Sequence, residues 1–389
     1  MFARSSVMTR TGSLPVTDST PPMAKNESSR LATLVSVVSF LVMLYLFFSS
    51  IELMSAAFKM SGAGLAQQLL TMASDPVAGL LIGFLATSLL QSSSTTTTIV
   101  VGLVASDALT IQLAVPIIMG TNIGTTTTNT IVAIGHVTRP AEFERAFAAS
   151  TVHDFFNLLA AFTILPLEIL FHPVERAAVF LQGLFAGAGG MGLASPLKAL
   201  TRPLSDLVTG WVPSTIPLVL VALALLFVAL RGMMKIMHGT VLERMEGLFD
   251  RVLFRNDAAS FSLGVVATAA VQSSSATTSL IVPLAGTGVL SLRQVFPYTL
   301  GANIGTTITA ILASFTTGNP AAVTVALAHL SFNLFAIAIY YPLKALPLWL
   351  ATGWGRLAAR SKASTAGVLT VYIALHVIPL MYIIWSAKR

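Results

Sequence analysis

Gln91-Ser92-Ser93-Ser94-Thr95-Thr96-Thr97-Thr98 is a run of eight side chains that all end in an amide or a hydroxyl. It stands between apolar stretches at residues 79–90 and 99–105. It recurs as Gln272-Ser273-Ser274-Ser275-Ala276-Thr277-Thr278-Ser279, again between apolar flanks. Crossing a bilayer as a helix takes ~20 apolar residues, and runs of ~10–14 fall short. Two short runs joined by a polar tip therefore read as a helical hairpin that enters the membrane part-way. Irregular backbone at such depth survives only where protein or a water-filled cavity covers it.

Composition sets the same context. The chain has 389 residues, 55% apolar and only 10% charged, with a mean hydropathy of +0.83. Soluble domains carry roughly 25% charged residues, so the expected fold is an all-α polytopic membrane protein. A net charge of +7 does not point to nucleic acid, because the basic residues sit in the N-terminal tail and in short connections, with no basic stripe interleaved by aromatics. The chain has no cysteine, which excludes disulfides, thiolate metal sites and a cysteine nucleophile.

The chain divides around the two runs. Residues 1–30 are polar and read as a disordered cytoplasmic tail. Residues 31–50 are long enough to span, whereas a signal peptide would have an apolar core of ~7–15 residues. Residues 31–171 form a first repeat with its hairpin tip near 91–98. Residues 172–213, rich in Gly and Pro, form a linker on the outer side with a surface helix near 174–186. Residues 214–346 form a second repeat with its tip near 272–279, its last apolar block running over 321–346. Residues 347–389 hold a connection and a final span. Asp75-Pro76 reads as the N-cap and first helical residue of a hairpin arm. Glu52, Lys59 and Glu168 mark span ends, and Met233, Met234 and Met237 read as packing.

The repeat is explicit. Residues 83–133 align with 264–314 without a gap, and about 20 of roughly 51 positions are identical. The identities include Gln91 with Gln272, Pro116 with Pro297, and Asn122-Ile123-Gly124-Thr125-Thr126 with Asn303-Ile304-Gly305-Thr306-Thr307. After a short length difference, His153 and Asn157 answer His329 and Asn333. With the basic tail inside, counting spans places the second repeat upside down relative to the first. The loop carrying Arg231, Lys235, Arg244, Arg251 and Arg255 then falls on the cytoplasmic side, as the positive-inside rule requires. The C-terminus falls opposite the N-terminus. Inverted repeats with discontinuous helices meeting near the midplane are an architecture of secondary transporters.

The chemistry follows from the residue types. Gly weakens a helix interior, and Asn and Thr compete for its hydrogen bonds, so each Asn-Ile-Gly-Thr-Thr is expected to unwind its span. Released carbonyls, hydroxyls and amide oxygens suit Na+, while helix N-termini at the hairpin tips suit an anion. No Arg or Lys lies in either motif, so co-bound cations would supply the counter-charge. Asp154 is an acid in an apolar span, a functional candidate by default; its counterpart is Leu330. His153, Asn157, His329 and Asn333 read as interhelical hydrogen-bonding partners rather than metal ligands.

These residues resemble the type II sodium-dependent phosphate cotransporter family. The likeness rests on Gln91–Ser94, Gln272–Ser275, both Asn-Ile-Gly-Thr-Thr segments, and Val152-His153-Asp154-Phe155-Phe156-Asn157. The resemblance implies a sodium-coupled symporter that imports inorganic phosphate across the cell (inner) membrane by alternating access. It also implies electrogenic transport, because electrogenic members carry an acid at what looks like the Asp154 position. The linker is shorter than that of animal members and lacks a glycosylation site. The expected phosphate ligands are Ser92, Ser93, Ser94, Thr125, Ser273, Ser274 and Ser275. The expected sodium ligands are Gln91, Asn122, Thr125, Asp154, Gln272, Ser273, Asn303, Thr306 and Thr309. Na+ is the coupling ion and the one metal expected; no organic cofactor and no nucleic-acid partner are, and a homodimer fits the family. Three other readings stand beside this one: a sodium-coupled carrier of a dicarboxylate or sulfate, a channel, and an intramembrane serine hydrolase using His153 or His329 as base.

Overall fold

A computed structural model describes residues 22–60, 75–187, 194–237 and 256–386. Among these the chain is helical and holds no strand. Six helices are long and apolar enough to cross a bilayer. The polarity is that of a protein in lipid. Large apolar side chains such as Leu89, Phe162, Ile216 and Trp349 are exposed, while Ser93, Ser94, Thr97, Asn122, His153, Thr306 and Asn333 are buried. In water this distribution would be inverted.

The first half opens with α1 (Pro22–Met60). Pro22 is well placed at a helix start, and helix-forming Met23, Ala24, Lys25 and Glu27 extend the span upstream. Residues 22–30 are therefore helical rather than disordered; residues 1–21 lie outside the described chain. The upper part of α1 exposes Leu34, Val38 and Leu41, while Phe47, Ile51 and Met54 are buried further along. Helix α2 (Pro76–Leu90) starts where Asp75 accepts the Val77 N–H at 3.1 Å, with Pro76 as its first residue. A turn at Gln91, in the left-handed region at φ 54°, reverses the chain into α3 (Ser93–Ala105). Helices α4 (Ile111–Gly124) and α5 (Thr127–Ile134) are two pieces of one rod interrupted at Thr125-Thr126. The long α6 (Pro140–Phe171) carries His153, Asp154 and Asn157.

The linker contains more structure than its composition suggests. Helix α7 (Pro173–Gly187) is capped by Glu168, whose carboxylate accepts the Val174 and Glu175 N–H groups at 2.7 and 3.1 Å. Glu168 is thus a buried cap and not an interfacial charge. Helix α8 (Ala194–Trp211), unanticipated in the Gly/Pro-rich linker, packs on α1. Gly189, Gly190 and Gly192 lie outside the described residues, as do Arg244, Arg251 and Arg255.

The second half repeats the order. Helix α9 (Thr215–Met237) packs along α1, with Met233 buried between them and the Arg231 and Lys235 end leading out of the helix. Helix α10 (Asp257–Val271) turns at Gln272, φ 59°, into α11 (Ser274–Ser279) and α12 (Ile281–Gly286). The break between these last two follows from Pro283, which cannot donate to the helix ladder; repeat one has Gly102 there and α3 is continuous. Helix α13 (Leu292–Thr317) runs unbroken through Asn303-Ile304-Gly305. The expected unwinding of this second span is therefore not found. Helix α14 (Pro320–Tyr340) ends before Pro342, short of the expected boundary, since the residue preceding a proline is steered away from helix. Helices α15 (Ala345–Ala359) and α16 (Lys362–Ser386) complete the chain.

Glycines bring the hairpin arms against their partner rods. A Cβ on Gly83 would stand 1.9 Å from the Ile117 carbonyl oxygen, and one on Gly120 1.9 Å from that of Leu80. In the second half the matching values are 2.2 Å at Gly264 (Tyr298) and 2.0 Å at Gly301 (Phe261). Small residues permit this backbone contact in membrane helix pairs, and here they lock α2 to α4 and α10 to α13.

Candidate functional site

Each hairpin tip is built the same way. Gln91 and Gln272 take the left-handed conformation, and Ser92 and Ser273 cap the following helix by accepting the Thr95 N–H at 3.1 Å and the Ala276 N–H at 3.2 Å. Capping serine satisfies one of the exposed donors of a helix N-terminus and leaves others directed outward. At the first tip the uncapped N–H groups belong to Ser93 and Ser94, at the second to Ser274 and Ser275. Helix α11 is only six residues long, so the positive end at the first tip is backed by the longer dipole.

The tips come together at the α4–α5 break. Ser94 Oγ donates to the Gln272 carbonyl at 3.2 Å, and Ser275 Oγ donates to the Thr125 carbonyl at 3.0 Å. Thr278 Oγ1 reaches Asn129 Oδ1 at 3.0 Å, and Thr128 Oγ1 reaches Gln91 Oε1 at 2.7 Å. Asp154, from α6, accepts the Thr126 hydroxyl through Oδ1, while its Oδ2 is buried without a protein partner. Asp154, Thr126, Thr127, Thr151 and Tyr372 form the polar edge of a cavity of about 910 Å³ whose other walls are mostly apolar.

The expected ligands divide into three groups. Ser92, Ser93, Ser94, Gln91, Thr125, Asp154, Gln272, Ser273, Ser274 and Ser275 gather at the tips and the break. Thr306 and Thr309 lie buried on α13, and the Thr309 and Ser274 hydroxyl oxygens have no partner. Asn122 and Asn303 are differently employed. Asn122 Oδ1 contacts His329 Nε2 at 2.8 Å and its Nδ2 donates to Asn333 Oδ1 at 2.8 Å. Asn303 Oδ1 contacts His153 Nε2 at 2.7 Å and its Nδ2 donates to Asn157 Oδ1 at 2.8 Å. Since each asparagine amide nitrogen is spent as a donor, each histidine Nε2 must be donating to the amide oxygen. Both histidines are thus committed to asparagines and neither touches a hairpin serine, which removes the geometry a serine hydrolase needs.

The sequence comparisons agree with this picture. The family model described as Na+/Pi-cotransporter matches residues 46–192 and 225–378, which include both tips, the break and Asp154. The chain belongs to the Na+/Pi-cotransporter family. Similar relatives include the sodium-dependent phosphate transport protein 2A of Ovis aries, 33% identical over 84% of this chain and 64% of the relative. The protein of that name from Rattus norvegicus is 32% identical over 84% and 64%. The sodium-dependent phosphate transport protein 2B of Homo sapiens is 31% identical over 85% and 63%. This Na+/Pi-cotransporter family chain thus spans less than two thirds of the length of these relatives. No solved structure matches it.

Two site residues of this family member escaped the sequence reading. Thr128 holds Gln91, and it occupies the position aligned with Thr309, an expected sodium ligand. Symmetry alone could have found it. Asn129, which holds Thr278, aligns with Ala310 and gave no such signal.

Proposed function

We propose that this protein is a sodium-coupled symporter that imports inorganic phosphate by alternating access between two inverted repeats, each with a re-entrant hairpin. Phosphate lies between the tips, held by Ser92, Ser93, Ser94, Thr125, Ser273, Ser274 and Ser275 through hydroxyls and helix N-terminal N–H groups. Sodium is held by Gln272, Ser273, Thr306 and Thr309 in one site, with Gln91, Thr125 and Asp154 contributing to others. The orphaned Thr309 hydroxyl and the free Oδ2 of Asp154 support the sodium sites, since a hard cation satisfies buried oxygens that lack protein partners, and the orphaned Ser274 hydroxyl is left to donate to phosphate. Asn122 and Asn303, whose amides are already engaged, position the rods instead of binding the ion.

The observation that carries the reading is the contact between the two duplicated tips, Ser94 on Gln272 and Ser275 on Thr125, in a chain whose relatives are named sodium-dependent phosphate transport proteins. That junction contains no Arg or Lys, so a bound phosphate depends on co-bound cations for charge balance. This links the anion to sodium. Asp154 adds one fixed negative charge that permits a further cation to travel, which makes the cycle electrogenic. The site faces the two sides of the cell membrane in turn.

Uptake of labelled phosphate into proteoliposomes tests the proposal. An inward Na+ gradient is expected to drive concentrative uptake that falls to background in choline. Unlabelled phosphate is expected to compete, and excess sulfate or a dicarboxylate to leave uptake unchanged. Equal uptake in choline would sink the sodium coupling, and competition by sulfate would move the assignment to another anion.

A further inference from the structure

We propose that Asn157 and Asn333 are positioning residues that determine which repeat carries the helix break. The inference rests on the transporter reading above, because it assigns the break a part in the exchange between states.

The two Asn-Ile-Gly asparagines are clamped reciprocally. Asn122 of the first repeat is held by His329 and Asn333 of the second, and Asn303 by His153 and Asn157 of the first. All six side chains are buried. The reciprocity ends at one bond. Asn157 Nδ2 donates to the backbone carbonyl of Asn122 at 2.7 Å, whereas Asn333 Nδ2 turns back to the His329 carbonyl on its own helix at 2.9 Å.

The backbone differs at the same place. The Asn122 carbonyl, holding the Asn157 amide, accepts the Thr125 N–H at a long 3.4 Å in place of a regular bond from Thr126, and α4 stops. The Asn303 carbonyl receives no amide from Asn333, and α13 continues. A side chain inserted into the hydrogen-bond ladder is an established cause of helix interruption. The Asn-Ile-Gly-Thr-Thr sequence is identical in the two repeats, so that pentapeptide does not explain why one rod breaks and the other does not. The differences lie around it: the Asn157 amide on the Asn122 carbonyl, the Ser275 hydroxyl on the Thr125 carbonyl, and Thr127, whose hydroxyl takes the Gly124 carbonyl where the second repeat has Ile308. Of these the amide acts at the carbonyl where α4 stops.

Asn157 also joins the two halves, with Oδ1 on Asn303 and Nδ2 on Asn122. In the opposite state the roles exchange: Asn333 leaves His329 and takes the Asn303 carbonyl, α13 opens, and α4 closes. Each state then has one broken rod.

Backbone hydrogen exchange in lipid nanodiscs, without Na+ or phosphate, tests this directly. Residues 124–127 of the native protein are expected to exchange about fivefold or more faster than residues 305–308, the least difference that a missing ladder bond produces. Asn157→Leu is expected to slow residues 124–127 toward the rate of 305–308, while Asn333→Leu leaves both rates as they were. Equal rates in the native protein overturn the proposal with no variant needed. Unchanged fast exchange in a folded Asn157→Leu also overturns it. Exchange is read without transport: a sodium-independent uptake alongside the expected asymmetry would remove the function proposed above and leave this one standing.

Discussion

Asp154 shows what one side chain adds to one of two similar halves. It sits on α6 against Thr126, with one carboxylate oxygen buried and unpartnered, and the aligned residue is Leu330. A buried acid within a span persists where a cation or a donor meets it. Asp154→Gly is expected to abolish phosphate-evoked current in a voltage-clamped membrane. Tracer uptake should survive at about a tenth or more of the native rate, since the tips are intact. Currents of native size in that variant would remove Asp154 from the charge-moving step. The importance of Asp154 was readable from sequence, as an acid in an apolar stretch beside a duplicated motif. The engagement of Asn122 and Asn303 was not, because an amide that binds an ion and an amide that binds histidine are the same letter. Only the neighbours, over a hundred residues away in sequence, distinguish the two uses.

Among the elements, the hairpins were the most legible and the rods the least. Local chemistry specifies a turn at Gln91 and Gln272: a capping serine one residue on, apolar arms on either side, and Asp75-Pro76 starting the first arm. The expected break in α13 is absent, where the Asn303 carbonyl receives no amide from Asn333 and Ile308 stands in place of Thr127. Helix α8 was missed because Pro196, Pro203 and Gly210 lie within it and glycines precede it, and α14 ended early at a proline that had been read through. The close approach of α2 to α4 yields a sharp expectation. Gly120→Ala places a methyl 1.9 Å from the Leu80 carbonyl oxygen and is expected to cost about 1–3 kcal/mol, as overpacking does. Gly353→Ala in α15 meets nothing within 4 Å and should be neutral or stabilising by up to about 1 kcal/mol from helix propensity. Thermal melting in detergent compares the two, and equal midpoints would contradict the packing argument.

For the whole molecule, the proposed inversion fixes the relative orientation of the halves. The turn before α6 and the turn before α14 hold corresponding places in the two repeats, and both put a proline first in the helix, Pro140 and Pro320. Inversion puts these turns on opposite membrane faces, while parallel duplication puts them on the same one. Because the native chain has no cysteine, single replacements report cleanly. In sealed right-side-out membranes an impermeant maleimide is expected to label Pro320→Cys and spare Arg139→Cys until the membrane is permeabilised. Labelling of both, or of neither, before permeabilisation would exclude the inverted arrangement.

The backbone contacts at Gly83, Gly120, Gly264 and Gly301 also limit how the molecule can deform. Two rods whose main chains touch cannot slide past one another without first separating, so each arm and its rod behave mechanically as a single plank. A serine tip swinging free of its rod would have to break this backbone contact first. Under the proposed transport cycle, each serine tip then travels with the rod it is packed against.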